Sequence, residues 1–123
     1  MPPLVSVVVL NWNRKALTAQ CLQSLQAQTL TDKEVILVDN GSSDGSVAEL
    51  AEAFPEVRVV ALPENRGFCG GNNAGMRAAR GAYVALLNND ARAEPGWLAA
   101  LVEALQADAR PGLAASKIGL RDC

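Results

Sequence analysis

Leu86-Leu87-Asn88-Asn89-Asp90 is an apolar run that stops abruptly at a carboxylate, and Val35-Ile36-Leu37-Val38-Asp39 repeats the pattern. Short apolar runs without polar alternation read as strands buried on both faces, the mark of a parallel sheet covered by helices. In open α/β sheets, ligands bind beyond the carboxyl ends of the strands, near the point where strand order reverses. Two carboxylates at that edge suit one task well: holding a nucleotide with a divalent metal on its phosphates.

Working outward, residues 5–10 form a third β-branched run, broken by Asn11-Trp12-Asn13-Arg14. Leu17, Cys21, Leu22 and Leu25 then recur at helical spacing, predicting a helix that ends near Gln28. After the turn chemistry of residues 40–45, Ser46 and Glu49 match a capping box. Val47, Leu50, Ala51 and Phe54 supply the apolar stripe of that second helix, which Pro55 helps to end. Residues 57–62 predict a further strand, 63–71 a glycine-containing loop, 72–80 a helix and 83–87 another strand. Pro95 sits at a plausible first helical position, with Leu98, Leu101, Val102 and Leu105 behind it. Pro111-Gly112 ends that helix, and residues 113–118 begin a fifth strand. The alternation β-α-β-α-β-α-β-α-(β) predicts an α/β fold: a doubly wound, mainly parallel, Rossmann-like sheet with helices on both faces.

At 123 residues the chain is one domain, 1–123, and with half its residues apolar and a fifth charged it is globular. A formal net charge of -2 without a basic run gives no footprint for nucleic acid, and 4% aromatics argue against a single-strand stacking platform. The absence of histidine removes Ser-His and Cys-His nucleophile pairs and most zinc chemistry. Cys21, Cys69 and Cys123 are odd in number, follow no metal spacing, and fit a reducing compartment. Cys69 reads as a small packing residue. With no signal-peptide pattern and no apolar run of membrane-spanning length, the expected setting is cytoplasmic, peripheral attachment at an inner membrane face through other regions or partners remaining open. The chain stops as another strand is due to join the sheet, which reads either as a small self-contained domain or as the N-terminal part of something longer, the second being preferred.

Three segments carry candidate chemistry, each with a plainer alternative. Asp39 can accept a hydrogen bond from a ligand, or cap the following turn. A nicotinamide cofactor is rejected, because a glycine-rich turn after the first strand is missing. Asn88-Asn89-Asp90 offers oxygen ligands to Mg²⁺ or Mn²⁺ beside substrate phosphates, or is an ordinary turn capping the next helix. The stretch Glu64-Asn65-Arg66-Gly67-Phe68-Cys69-Gly70-Gly71-Asn72-Asn73 lets backbone approach a ligand closely, or is a tight connection with none. Arg77, Arg80 and Arg92 read as solvated charges.

Taken together the motifs resemble family 2 inverting glycosyltransferases and the nucleotide-binding half of their glycosyltransferase-A fold. The matching pieces are Val5-Ser6-Val7-Val8-Val9-Leu10-Asn11-Trp12-Asn13, Val38-Asp39-Asn40-Gly41-Ser42-Ser43-Asp44-Gly45-Ser46, Asn65-Arg66-Gly67-Phe68 with Asn72-Asn73-Ala74-Gly75, and Leu86-Leu87-Asn88-Asn89-Asp90. The Asn-Trp-Asn and Asn-Asn-Asp versions look most like rhamnosyltransferase-type members that build bacterial surface polysaccharides. The resemblance implies a UDP- or dTDP-sugar donor whose pyrimidine is read by Asp39, with Leu10, Asn11 and Asn13 flanking it. It places Asn88, Asn89 and Asp90 at the family's Asp-x-Asp motif, Asp90 as the ligand of a divalent metal, Mg²⁺ or Mn²⁺, and Asn88 where the motif's first aspartate stands. Asp44, Asn72 and Asn73 would shape the wall. It further implies inversion at the anomeric carbon, a saccharide or lipid-linked acceptor, and a carboxylate base beyond Cys123; neither Glu94 nor Glu103 matches that base. The competing expectation is a non-catalytic nucleotide-binding module, or one that self-associates into a homo-oligomer through an exposed sheet edge.

Overall fold

The computed structural model describes residues 2–107. Its centre is β1 (Val5–Asn11), in which Val5, Val7, Val8 and Val9 are inaccessible to solvent. Burying each such side chain is worth roughly 1.5–3 kcal/mol relative to exposure, so this β-branched run takes the most sheltered position available. The chain continues through α1 (Lys15–Gln26), β2 (Lys33–Asp39), α2 (Ser46–Ala53), β3 (Arg58–Ala61), α3 (Gly67–Ala78), β4 (Tyr83–Asn88) and α4 (Trp97–Ala107). The sheet order is β3-β2-β1-β4 and every pairing is parallel, with Val5 opposite Lys33 and Tyr83, and Asn11 opposite Asp39. Strand order therefore reverses between β1 and β4.

Odd and even positions of the strands serve different layers. Val5, Val7, Val9, Leu37, Ala85 and Leu87 pack with Leu22 and Leu25 of α1, Leu50 of α2, and Leu98 and Val102 of α4. Val8, Ile36 and Val38 face the other way, against Ala74 and Ala78 of α3. Helices thus cover both faces, as expected. Among the described residues no helix is long and apolar enough to cross a membrane.

Four boundaries differ from those expected. Residues 67–71 open α3 instead of belonging to a loop, and the cause is tertiary. A Cβ on Gly71 would lie 2.4 Å from a Leu10 methyl, and one on Gly75 would lie 2.4 Å from a Val8 methyl and 2.9 Å from Val38. These glycines bring the helix axis down onto the sheet, and that packing outweighs their poor helix propensity. Ser46 starts α2 without a capping box: Gly45 is left-handed at the cap position, and the Asp44 carboxylate accepts from the Ser46 backbone N–H at 3.0 Å and from its hydroxyl. These bonds, that from the Ser46 hydroxyl first, hold Asp44 below the usual carboxylate range. Pro95 lies two residues before α4, its carbonyl taken by the Thr29 N–H at 2.9 Å. The third strand is four residues, shorter than 57–62. The expected fifth strand, 113–118, falls outside the described residues.

The amino end of the sheet is held by Glu34. Its carboxylate accepts from Ser6 Oγ at 2.6 Å, from Arg58 at 2.7 Å and from the Arg80 N–H at 2.7 Å, while Arg58 also donates to the Ala78 carbonyl at 2.9 Å. Partial burial pushes the Glu34 carboxyl upward, but these donors outweigh it and hold the group below its ordinary range. A depressed carboxyl contributes stability above its unfolded-state value and loses it as pH falls through its folded one.

Two outcomes are expected. Gly75→Ala should destabilise the fold by about 1–3 kcal/mol through overpacking, whereas Gly96→Ala, with nothing within 4 Å of its Cβ, should stay within about 0.5 kcal/mol of the parent; urea denaturation measures both. Glu34→Gln should cost about 1–3 kcal/mol at pH 7, and the difference from the parent should shrink as pH falls below the ordinary glutamate range, read from urea midpoints across that window.

Candidate functional site

β1 and β4 stay paired as far as Leu10 and Asn88, and a cavity of about 180 Å³ opens beside their carboxyl ends, at the reversal point. Leu10 comes from the end of β1, Trp12 and Arg14 from the loop that follows, Phe68 and Asn72 from the first turns of α3, and Leu86, Leu87, Asn88 and Asn89 from the end of β4. Its wall combines apolar surface with amide groups and one guanidinium, the composition of a small-molecule site. Asn72 is almost fully buried, at 4% exposure. Trp12 and Phe68 are 49% and 38% exposed, so two large aromatic faces remain available to a ligand beside the cavity.

Of the residues singled out from sequence, Leu10, Asn72, Asn88 and Asn89 meet at this cavity. Asn11, Asn13 and Asp39 form a second cluster, directly alongside. Asp39 is 2% exposed and carries three hydrogen bonds: Oδ1 accepts from Asn11 Nδ2 at 2.9 Å and Ser42 Oγ at 2.7 Å, and Oδ2 accepts from the Ser42 N–H at 2.9 Å. A carboxylate has about four acceptor positions, so Oδ2 retains capacity for one ligand N–H. Asn11 is fully buried, and its amide serves the protein interior, donating to Asp39 and accepting from Thr18 Oγ1 at 2.6 Å. Asn13 adopts a left-handed conformation, φ 50°, which asparagine tolerates better than most residues. There its N–H donates to Ser42 Oγ at 2.9 Å and its Oδ1 accepts from the Ser43 N–H at 2.8 Å. The two loops beyond β1 and β2 are thereby clasped together.

Asn40, the next buried amide, secures the third loop. It donates from Nδ2 to Asn65 Oδ1 and to the Gly67 carbonyl, each at 3.1 Å, and accepts from the Arg66 N–H at 2.9 Å. This anchors the start of α3, and with it Phe68 and Asn72. Asp90 lies exposed on the turn after β4. Cys21 sits beneath that turn, its thiol 3.6 Å from the Asn88 carbonyl; burial first, and then the charge of Asp90, push its pKa up to about 12. Cys69, expected to pack inside, is exposed on α3.

Sequence reading carried Trp12, Arg14 and Phe68 inside its motif segments without singling them out as cavity residues. Their signal was present in part: aromatic residues are scarce here, and both exposed ones fall within motif segments. What periodicity could not supply was that the β1–α1 loop and the start of α3 meet over one cavity.

A fully parallel sheet with helices on both faces defines the doubly wound class of α/β folds, in which ligands bind at the point where strand order reverses. The family model for glycosyl transferase family 2 matches residues 6–116, and the chain belongs to that family. It is 38% identical over 102 residues to the succinoglycan biosynthesis protein ExoO of Rhizobium meliloti, an overlap of 82% of this chain and 29% of that protein. It is 38% identical over 94 residues to the uncharacterized glycosyltransferase EpsJ of Bacillus subtilis, covering 73% of this chain and 27% of the relative. Among solved structures, TarS 1–349 of S. aureus superposes with a TM-score of 0.74 at 26% identity, over 84% of this chain and 33% of that one; the same protein is also solved with UDP-GlcNAc. The mannosyltransferase PcManGT of Pyrobaculum calidifontis, in complex with GDP-Man and Mn²⁺, superposes with a TM-score of 0.63 at 30% identity, over 74% of this chain and 28% of that one. The chain thus spans less than a third of the length of the two curated relatives.

The raised pKa and burial of Cys21 leave it almost wholly in the thiol form at neutral pH. Alkylation by iodoacetamide at pH 8, followed by peptide mass spectrometry, should leave Cys21 unmodified in the native chain and modify it after denaturation in urea.

Proposed function

We propose that residues 1–123 form the donor-binding domain of an inverting glycosyltransferase that takes a sugar from a UDP- or dTDP-sugar, in the synthesis of a bacterial surface polysaccharide or other cell-envelope glycan. The observation that carries this reading is the cavity at the β1–β4 reversal point, where the Asn88-Asn89 amides and Asn72 meet the faces of Trp12 and Phe68. Flat apolar faces suit a base and the amides suit ribose hydroxyls and phosphate-linked oxygens. Asp39 Oδ2, the acceptor left over in the adjoining cluster, is assigned to a pyrimidine N–H. Family membership and the nucleotide-sugar complexes of TarS and PcManGT support a nucleotide-sugar donor, that of TarS a pyrimidine one, and the name of ExoO supports the pathway.

A divalent metal fits the site in a particular way. Among the described residues no three carboxylates or thiols converge on one point. Asp39 is buried and occupied by its own donors, leaving Asp90 as the exposed carboxylate at the strand ends, beside the Asn88 and Asn89 carbonyl groups. A single carboxylate with substrate phosphates is how Mg²⁺ is commonly held, and Mn²⁺ accepts similar oxygen ligands. When bound with the diphosphate, the metal neutralises charge on the leaving group. In the reaction proposed, the acceptor hydroxyl attacks the anomeric carbon from the face opposite the leaving nucleotide. The new C–O bond forms as the bond to the diphosphate breaks, and a carboxylate base takes the hydroxyl proton. Glu94 and Glu103 are exposed and do not line the cavity, and neither is assigned as that base.

Calorimetric titration with UDP and dTDP, each with and without Mn²⁺, tests the reading. Asp90→Ala should weaken UDP binding about tenfold or more in Mn²⁺, equal to about 1.4 kcal/mol or more, and by less than about twofold in its absence. Equal losses under both conditions would remove Asp90 from the metal site.

A further inference from the structure

Thr18 is fully buried in the first half of α1. A β-branched residue gains little in a helix, and its hydroxyl ordinarily bonds back to a carbonyl of the preceding turn. Here it does not. Thr18 Oγ1 donates to Asn11 Oδ1 at 2.6 Å and accepts from Asn89 Nδ2 at 3.1 Å. Since Asn11 Nδ2 donates to Asp39 Oδ1 at 2.9 Å, four residues on two strands, a helix and the turn after β4 are joined in one line from the β2 end to the β4 end.

The direction of every bond in that line follows from its carboxylate terminus. The Asp39 carboxylate accepts from all its partners, so Asn11 turns its NH₂ toward it and its carbonyl oxygen toward Thr18. The one hydroxyl proton of Thr18 is then committed to Asn11. Toward Asn89, Thr18 can only accept, and Asn89 must present its NH₂ to Thr18. The amide of Asn89 thereby commits one N–H to Thr18 and keeps its carbonyl oxygen clear of that bond, at the cavity that Asn89 lines.

We propose that Thr18 is a positioning residue for donor binding: it fixes the Asn89 amide with its carbonyl oxygen offered to the ligand as an acceptor. An acceptor oxygen there serves a ribose hydroxyl or a hard divalent cation, which share this chemistry. A reversed amide would offer an N–H, which repels a cation and leaves a hydroxyl proton without that acceptor. The inference rests on the nucleotide-sugar reading of the cavity and adds to it a residue that never touches the ligand.

The test titrates UDP, with and without Mn²⁺, into the full chain and its Thr18→Val, Thr18→Ser, Asn89→Ala and Thr18→Val/Asn89→Ala variants. Thr18→Val keeps the side-chain shape and removes the proton, and should raise the Kd for UDP about tenfold, while Thr18→Ser stays within about twofold of the parent. In the Asn89→Ala background Thr18→Val should cost nothing further, because the oxygen it orients is gone. A loss confined to the Mn²⁺ titrations assigns that oxygen to the cation, and an equal loss in both assigns it to the ribose. A parental Kd for Thr18→Val, or fully additive losses in the double variant, overturns the inference while leaving the nucleotide reading intact. Failure of the parent chain to bind either nucleotide overturns that reading, and this inference with it. Should Thr18→Val lose its cooperative melt, Asn89→Asp decides instead. It keeps an acceptor but has no N–H for Thr18, so UDP binding falls as in Asn89→Ala if the line holds and is retained or tightened if it does not.

Discussion

A carboxylate withdrawn from water must be supplied with hydrogen-bond donors, and at Asp39 that requirement organises one end of the molecule. Its position at the close of a buried strand leaves it 2% exposed, directly opposite Asn11 in the parallel register. The donors come from Asn11 and Ser42, so the loop after β1 and the loop after β2 are drawn into one structure. The left-handed Asn13 completes the clasp by exchanging bonds with Ser42 and Ser43. An apolar residue at position 39 would have left these loops to solvent and the strand ends without a fixed rim.

The second constraint is the approach of α3. Gly71 and Gly75 leave no room for a Cβ between helix and sheet, and Asn40 holds the helix start from below. α3 follows the edge strand β3 and leads to β4 on the far side of β1, so its path creates the reversal of strand order. Its first turns then hang over the gap that the reversal opens. The cavity is a consequence of topology, while the polarity of its wall is a consequence of which side chains end β4.

The two ends of the sheet differ in what they are built to do. At the amino end, Glu34 gathers donors from β1, β3 and the segment after α3, a network that stitches elements together and leaves little capacity unused. At the carboxyl end the hydrogen bonds run along the rim through Asp39, Asn11, Thr18 and Asn89, and the Asp90 carboxylate stays exposed beyond them. Stability is concentrated where no ligand is assigned, and unused polar capacity is concentrated where one is.

Local sequence determined a good deal of this. Unbroken apolar runs declared strands buried on both faces, the alternation of strands with helical stripes declared a parallel sheet, and the carboxylates at 39 and 90 marked its carboxyl-terminal edge. Family membership was legible for the same reason, since the motifs are the strand ends themselves. Other features were decided only in three dimensions. The glycines of 67–75 read as loop because propensity counts what a residue costs a helix and is blind to a sheet lying too close for a side chain. Asp44 displaced Ser46 as the group serving the start of α2, a choice made by the left-handed Gly45 between them. Asn11 and Asn13 resemble ligand-binding residues in sequence, yet Asn11 is buried and bonded to Asp39 and Thr18, and Asn13 holds the Ser42-Ser43 turn. Sequence order determines which residues stand at strand ends. Which of them face a ligand depends on hydrogen bonds between segments distant in the chain, and only the folded sheet brings those segments within reach.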